Sequence, residues 1–244
     1  MHLLLFDIDG TLINSSRIGR KALGRALTTV FGTTGALETY EFAGKTDRRI
    51  VHDLLAAEGF ATNEVEDRLT ELDEAMADAG RDLFTPETIW ACPGVPSLLD
   101  ELSRRDDVVL ALLTGNIRHT VALKLAAAGI DPSRFVGGAF GSDSQDRDAL
   151  FDIALDRVHQ STGMAFARHN VTIIGDTPAD IRCARSGGGR AIAVATGPYP
   201  TELLSQHDPD FLFADLSRTA EVLRALLTPE ITPSFHGGGL YGPT

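Results

Sequence analysis

The sequence predicts an α/β fold, a parallel sheet whose strands alternate with helices, with an all-helical block inserted after the first strand. Three observations carry this reading. Short apolar runs, each closed by turn residues, recur along the chain. Helical patterns separate those runs, which is the order of a parallel sheet. Finally, the stretch from about 15 to 90 shows helical patterns and no convincing strand.

Residues 2–7 read as a short strand, and their unbroken apolar character is that of a strand buried on both faces. Asp9-Gly10-Thr11 breaks it. The same grammar returns at 108–113, stopped by Thr114-Gly115-Asn116, and at 171–174, stopped by Gly175-Asp176. A further run, 191–195, stops at Thr196-Gly197, and a weaker one, 211–213, stops at Asp215. Helical patterns at roughly 95–105, 116–128, 146–160, 179–186 and 217–227 connect them. In the insert, helices are expected at roughly 15–30, 47–58 and 63–80. Asn14-Ser15-Ser16 reads as a helix start and Cys92-Pro93-Gly94 as a turn. A crossover between parallel strands needs only about a dozen residues. So long an insert is therefore read as a helical cap. The expected organisation is a core of 1–14 and 91–227, a cap of 15–90 and a flexible tail of 228–244, the last rich in Pro and Gly.

Composition excludes several functions. Lys and Arg number 22 against 34 Asp and Glu, a formal net charge of −12. Such a surface is a poor match for nucleic acid or an anionic membrane. No run approaches the roughly 20 apolar residues of a membrane span. The two cysteines, Cys92 and Cys183, form no disulfide framework and no metal spacing, which fits the cytoplasm. The only lysines are Lys21, Lys45 and Lys124.

Every strand stop falls at the C-terminal end of its strand, the edge where open α/β sheets bind ligands. Three stops supply carboxylates: Asp7 with Asp9, Asp176 with Asp180, and Asp215. Clustered carboxylates repel unless a cation sits among them. Mg2+ suits an oxygen-rich site with few protein ligands and also takes a phosphate oxygen. Thr114-Gly115-Asn116 fits the phosphate half, with a hydroxyl, a close backbone approach and free N–H groups opening a helix.

Asp7-Ile-Asp9-Gly-Thr11 resembles the first motif of the haloacid dehalogenase (HAD) superfamily, Asp-x-Asp-x-Thr after an apolar strand. Leu113-Thr114-Gly115-Asn116 resembles its second motif, and Gly175-Asp176-Thr-Pro-Ala-Asp180 its fourth. The helical insert between the first two motifs is similar to the C1-type cap of that superfamily. The resemblance covers about residues 2–227. It implies a Rossmann-like core and a Mg2+-dependent phosphatase acting on a small phosphorylated metabolite, as monomer or homodimer. By the same resemblance Asp7 is the nucleophile that forms an aspartyl-phosphate, and Asp9 the general acid and base. The Asp7 carboxylate, the Asp9 backbone carbonyl and Asp176 hold the metal, with Asp180 behind them.

The third motif departs from the pattern. The superfamily usually has a Lys between motifs two and four, and no lysine follows Lys124. Arg147 stands at about the right place and is expected to contact phosphate in its stead, with a bidentate fork. Phe42-Ala-Gly44-Lys45-Thr46-Asp47 resembles the cap loop of phosphoglycolate phosphatase-like members, so Lys45 is expected to set specificity. Two alternatives share the core motifs. A β-phosphoglucomutase-type phosphomutase is disfavoured because Gly44-Lys45-Thr46-Asp47 does not resemble the Arg-bearing mutase loop. A non-catalytic binding protein is disfavoured because Asp7, Asp9, Thr114 and Asp176 are all present. His52 and His119 are expected to face solvent, Trp90 to pack in the cap linker, and Cys183 to be buried.

Overall fold

The structure is a computed structural model and describes residues 1–227. The chain opens on β1 (His2–Phe6) and then a tight loop in which the Thr11, Leu12 and Ile13 N–H groups all donate to the Ile8 carbonyl. A short β2 (Ile13–Ser15) follows. Next come four helices: α1 (Ile18–Phe31), α2 (Asp47–Ala57), α3 (Thr62–Glu66) and α4 (Leu69–Leu83). The chain returns through β3 (Ile89–Ala91), which pairs antiparallel with β2. The remainder alternates: α5 (Val95–Leu102), β4 (Val108–Leu113), α6 (Arg118–Ala127), β5 (Gly138–Ala139), α7 (Leu150–Thr162), β6 (Val171–Gly175), α8 (Pro178–Gly187), β7 (Arg190–Val194), α9 (Thr201–Leu204), β8 (Phe211–Phe213) and α10 (Thr219–Leu227).

The main sheet has six parallel strands in the order β5-β4-β1-β6-β7-β8. β1 is therefore central, and the loops leaving β4, β1 and β6 are neighbours. Its two faces are buried by different partners. Leu3 and Leu5 join Ala111, Ile173, Phe151 and Ile181 beneath α7 and α8. Leu4 and Phe6 face the opposite way, with Leu112, Ile174, Leu99 and Leu125. That second cluster continues into the insert, where α1 packs on α4 through residues such as Leu23, Leu27 and Leu72. α4 also packs on α6 and so ties the helical insert to the sheet layer.

Several expectations need correction. The junctions of the insert are not helix and turn alone: residues 13–15 and 89–91 form a two-stranded ribbon. Strands this short carry no periodicity of their own. Asn14 and Ser15 lie in that ribbon, and α1 starts only after Arg17, which has φ +59 and makes no side-chain cap. The helix expected over 63–80 is two helices, α3 and α4, broken at Asp67-Arg68. β5, two residues long, has no expected counterpart. His52 is buried and its Nε2 lies 2.9 Å from Glu66 Oε1, whereas His119 is exposed as expected. Trp90 is in the ribbon and half exposed, and Cys183 is fully buried. The expected flexible tail, 228–244, lies outside the described residues.

Leu5→Ala should cost about 2–5 kcal/mol, because Leu5 is fully buried on the central strand and the cavity cannot collapse against fixed helices. Urea unfolding with an unchanged m-value is the check.

Candidate active site

Strand order brings the separate motifs together. Asp7 follows β1 directly and its N–H donates to the Ile174 carbonyl at 2.9 Å, extending the β1–β6 pairing by one residue. Asp176 follows β6, and Asp180 sits in the first turn of α8. One carboxylate oxygen from each of Asp7, Asp176 and Asp180 lies within 4.8 Å of the others, and all three residues are buried. Asp180 is doubly used. Its Oδ2 accepts from the Thr177 N–H at 3.1 Å and the Thr177 hydroxyl at 2.7 Å, capping α8. Its Oδ1 accepts from Arg147. Asp176 Oδ1 accepts from the Thr11 hydroxyl at 3.2 Å.

Arg147 lies where sequence reasoning placed it, although just ahead of α7 rather than within it. It is buried, and its Nη2 is 3.2 Å from Asp7 Oδ1 as well as bonded to Asp180. The two carboxylates hold the guanidinium firmly protonated against the penalty of burial. One guanidinium does not balance three buried carboxylates. Burial pushes Asp7 up to about 7, with Arg147 opposing and Asp180 and Asp9 adding to the rise. Burial, Asp7 and Asp180 push Asp176 well above the ordinary carboxylate range. The site thus has an excess of negative charge and hard oxygen donors at close quarters, which fits a divalent cation of the Mg2+ type.

Asp9 turns away from this cluster. Its carboxylate meets Lys124 Nζ at 2.7 and 2.9 Å, and its Oδ2 accepts from Asn116 Nδ2 at 2.6 Å. Lys124 also donates to Asn116 Oδ1, and Asn116 Nδ2 donates to the Thr114 hydroxyl at 2.8 Å. Lys124 is 4% exposed, on the inward face of α6. Its contact with Asp9 was not anticipated. The available signal was a lone lysine eight residues beyond Asn116, close to the spacing that returns a helix to the same face. Asp215, the third strand-end carboxylate, stands apart from this group: its Oδ1 accepts from the Ser217 N–H at 2.8 Å after the edge strand β8. It is not among the residues lining the cavity.

That cavity holds about 450 Å3 between the sheet edge and the helical insert. Asp7, Asp9, Thr114, Gly115, Asn116, Arg147 and Asp176 line its floor, and Lys45 its cap side. The loop carrying Lys45 is clasped to the floor. Asp47 N–H donates to the Gly115 carbonyl at 2.7 Å, the Asp47 carboxylate accepts from the Ile117 N–H at 2.9 Å, and the Thr46 hydroxyl donates to the Gln145 carbonyl at 3.1 Å. Two glycines permit the close approach. A Cβ on Gly115 would lie 2.2 Å from the Lys45 carbonyl oxygen, and one on Gly10, at φ +86, 2.3 Å from Asp176 Oδ2.

Fold and site together define an α/β protein with a helical insert that gathers buried carboxylates at the C-terminal edge of a parallel sheet. The haloacid dehalogenase-like hydrolase family model matches residues 4–185, and the chain belongs to that family. A phosphoglycolate phosphatase from Pseudomonas syringae pv. tomato is 26% identical over 223 residues, covering 88% of this chain and 77% of that protein. The crystal structure of a hydrolase from Pseudomonas syringae superposes with a TM-score of 0.67 at 21% identity, over 91% of this chain and 98% of that one. That of a predicted phosphoglycolate phosphatase from Haemophilus somnus gives 0.64, again at 21% identity, over 91% and 98%. The chain is thus a hydrolase of the phosphatase kind. Among the described residues no helix is long and apolar enough to cross a membrane.

The clasp generates a pH prediction. Burial pushes the Asp47 carboxyl up to about 6, with Lys124 opposing. A carboxyl raised on folding contributes stability below its unfolded pKa and loses it as pH rises through the folded value. Asp47→Asn keeps an oxygen for the Ile117 N–H and removes the titration. Its melting temperature relative to the parent should therefore rise between about pH 4 and 6 and stay constant above. A difference that does not change with pH would refute this.

Proposed function

We propose that this protein hydrolyses a small phosphate monoester in a Mg2+-dependent reaction, through an aspartyl-phosphate on Asp7, and that its substrates resemble phosphoglycolate. The observation that carries the reading is the convergence of Asp7, Asp176 and Asp180 around Arg147, with Asp9 held separately by Lys124 and Asn116. The narrower substrate guess is supported by the phosphoglycolate phosphatase relative. Two buried free cysteines support a reducing cytoplasmic setting.

In this reading Arg147, Thr114, Gly115 and Asn116 hold the phosphoryl oxygens. An Asp7 carboxylate oxygen attacks phosphorus while the bond to the leaving oxygen breaks, and Asp9 gives that oxygen its proton. Asp9 then takes a proton from water as the water oxygen attacks phosphorus, which frees Asp7 and inorganic phosphate. Asp7, Asp176 and the Asp9 backbone carbonyl would hold Mg2+, with Asp180 fixing Arg147 and α8 behind them. When bound, Mg2+ supplies charge that offsets the carboxylates and the phosphoryl oxygens. The clasped loop keeps bulk water from the floor.

A panel of phosphate monoesters assayed with Mg2+ and with EDTA tests the reading. Phosphate release from at least one ester, abolished by EDTA, is expected; no metal-dependent release from any ester would sink it. Asp7→Asn should lower kcat by about a thousandfold or more, because the nucleophile has no substitute. Metal binding has a separate readout. Mg2+ at about 100 times its Kd should stabilise the parent by about 2.7 kcal/mol. The gain in melting temperature should be largely lost in Asp176→Asn.

A further inference from the structure

Acids outnumber bases 34 to 22 in this chain, so a cation has many carboxylates to choose from. On the cavity floor they pair accordingly: Lys124 with Asp9, Arg147 with Asp7 and Asp180. The cap side of the same cavity departs from this pattern. Arg17, Arg20 and Lys45 all line it, and among the described residues none has a carboxylate partner. Two are fixed by neutral groups. Arg20 donates to the Leu37 and Tyr40 carbonyls and lies 4.2 Å over the Phe42 ring. The Lys45 ammonium lies 3.9 Å over the Tyr40 ring.

Arg17 is different. Its side chain is exposed at the cavity mouth and has no hydrogen bond, ion pair or ring contact among the described residues. Its backbone is left-handed, at φ +59, in the position that caps α1. That conformation costs an L-residue about 1–2 kcal/mol, which Gly avoids and Asn or Asp lessens. Those residues also cap helices well. Neither local conformation nor capping accounts for an arginine here, so the reason for it lies with the side chain. An unpaired guanidinium on a cavity wall that a second cation, Lys45, also lines is matched to an anion that the protein does not supply. The cavity, about 450 Å3, falls within the usual range for small-molecule sites, with room for a phosphoryl group on the floor and a further group at the wall.

We propose that Arg17, in the cavity that Lys45 also lines, binds a second anionic group at the far end of the substrate, a carboxylate or a second phosphate, and so makes the enzyme selective for phosphate monoesters that carry one. The proposal rests on the phosphatase reading above and deepens it, since it adds a specificity residue that lies outside the cap loop.

The experiment compares matched esters in the parent, Arg17→Gln and Arg17→Lys. One arm pairs phosphorylated carboxylic acids of increasing length with their terminal amides. The other pairs alkanediol bisphosphates with the corresponding monophosphates, which separates carboxylate from phosphate as the second anion. The parent should favour the charged member of at least one pair in kcat/KM. Arg17→Gln should reduce that ratio by about tenfold, chiefly through KM, as for the loss of one charge-assisted hydrogen bond. Arg17→Lys should recover part of it. A purely structural role would change charged and neutral esters alike and leave the ratio where it was. An equal ratio in parent and Arg17→Gln, or no preference in the parent, overturns the proposal. If the parent turns over no ester at all, the phosphatase reading fails and a calorimetric titration decides this one. Phosphonopropionate or propane-1,3-bisphosphonate binding more tightly than propylphosphonate to the parent, with the difference lost in Arg17→Gln, supports the subsite; equal binding of all three to the parent rejects it.

Discussion

Three buried carboxylates held together at one sheet edge are the constraint around which this structure is organised. Left to themselves, Asp7, Asp176 and Asp180 repel, and burial raises the cost of each charge. Arg147 answers part of that cost by bridging Asp7 and Asp180. The answer reaches into the secondary structure, because Asp180 is also the side chain that accepts from Thr177 at the start of α8. Strand order does the rest. β1 lies between β4 and β6, so three loops far apart in sequence can meet only at this edge. The close packing there leaves no room for a Cβ at Gly10. Charge balance, helix capping and loop conformation are thus one problem solved once.

The same edge also fixes the helical insert. Its loop is held by main-chain groups of the segment that follows β4: the Asp47 N–H bonds the Gly115 carbonyl, and the Ile117 N–H bonds the Asp47 carboxylate. Main-chain partners cannot be retuned by substituting their side chains. The clasp therefore fixes the insert to the backbone of the β4 loop, whatever side chains that loop carries. Lys124 lies beneath this contact. It pairs with Asp9 and pulls against the burial-driven rise of Asp47. One buried lysine thus pairs with the candidate acid and also favours the charged form of the clasping carboxylate.

How legible each part was in the sequence follows from how local its cause is. The strands at 2–6, 108–113 and 171–175 are buried on both faces, so their unbroken apolar runs announced them. The ribbon of 13–15 with 89–91 is stabilised only by its partner, about 75 residues away, and β5 only by β4. Neither has a signal of its own. The break between α3 and α4 falls at Asp67-Arg68, where no Gly or Pro marks it. That Asp215 stands apart could not be read from its own segment, because a strand end can be read locally but the strand's place in the sheet cannot. β8 is the edge strand, and its exit lies away from the crevice. His52 shows the same limit: helical periodicity does not reveal that Glu66 of α3 lies against that face. Arg147, by contrast, was legible through the resemblance, since the superfamily usually has a Lys between motifs two and four and no lysine follows Lys124.

The scarcity of lysine resolves into a division of labour that the geometry explains. Asp9, Asn116 and Lys124 form a compact group in which one nitrogen meets oxygens from two residues, and an ammonium with three freely directed donors suits that. Between Asp7, which follows β1, and Asp180, in the first turn of α8, one guanidinium nitrogen, Nη2, likewise meets two carboxylates. A planar guanidinium reaches both while staying protonated in a dry setting, and a more weakly hydrated cation is easier to bury than an ammonium. Arginine at 147 ties Asp7 to α8 through Asp180, so the position of Asp7 depends on the helix as well as on its own strand. What the chain gains is a buried carboxylate anchored from two sides.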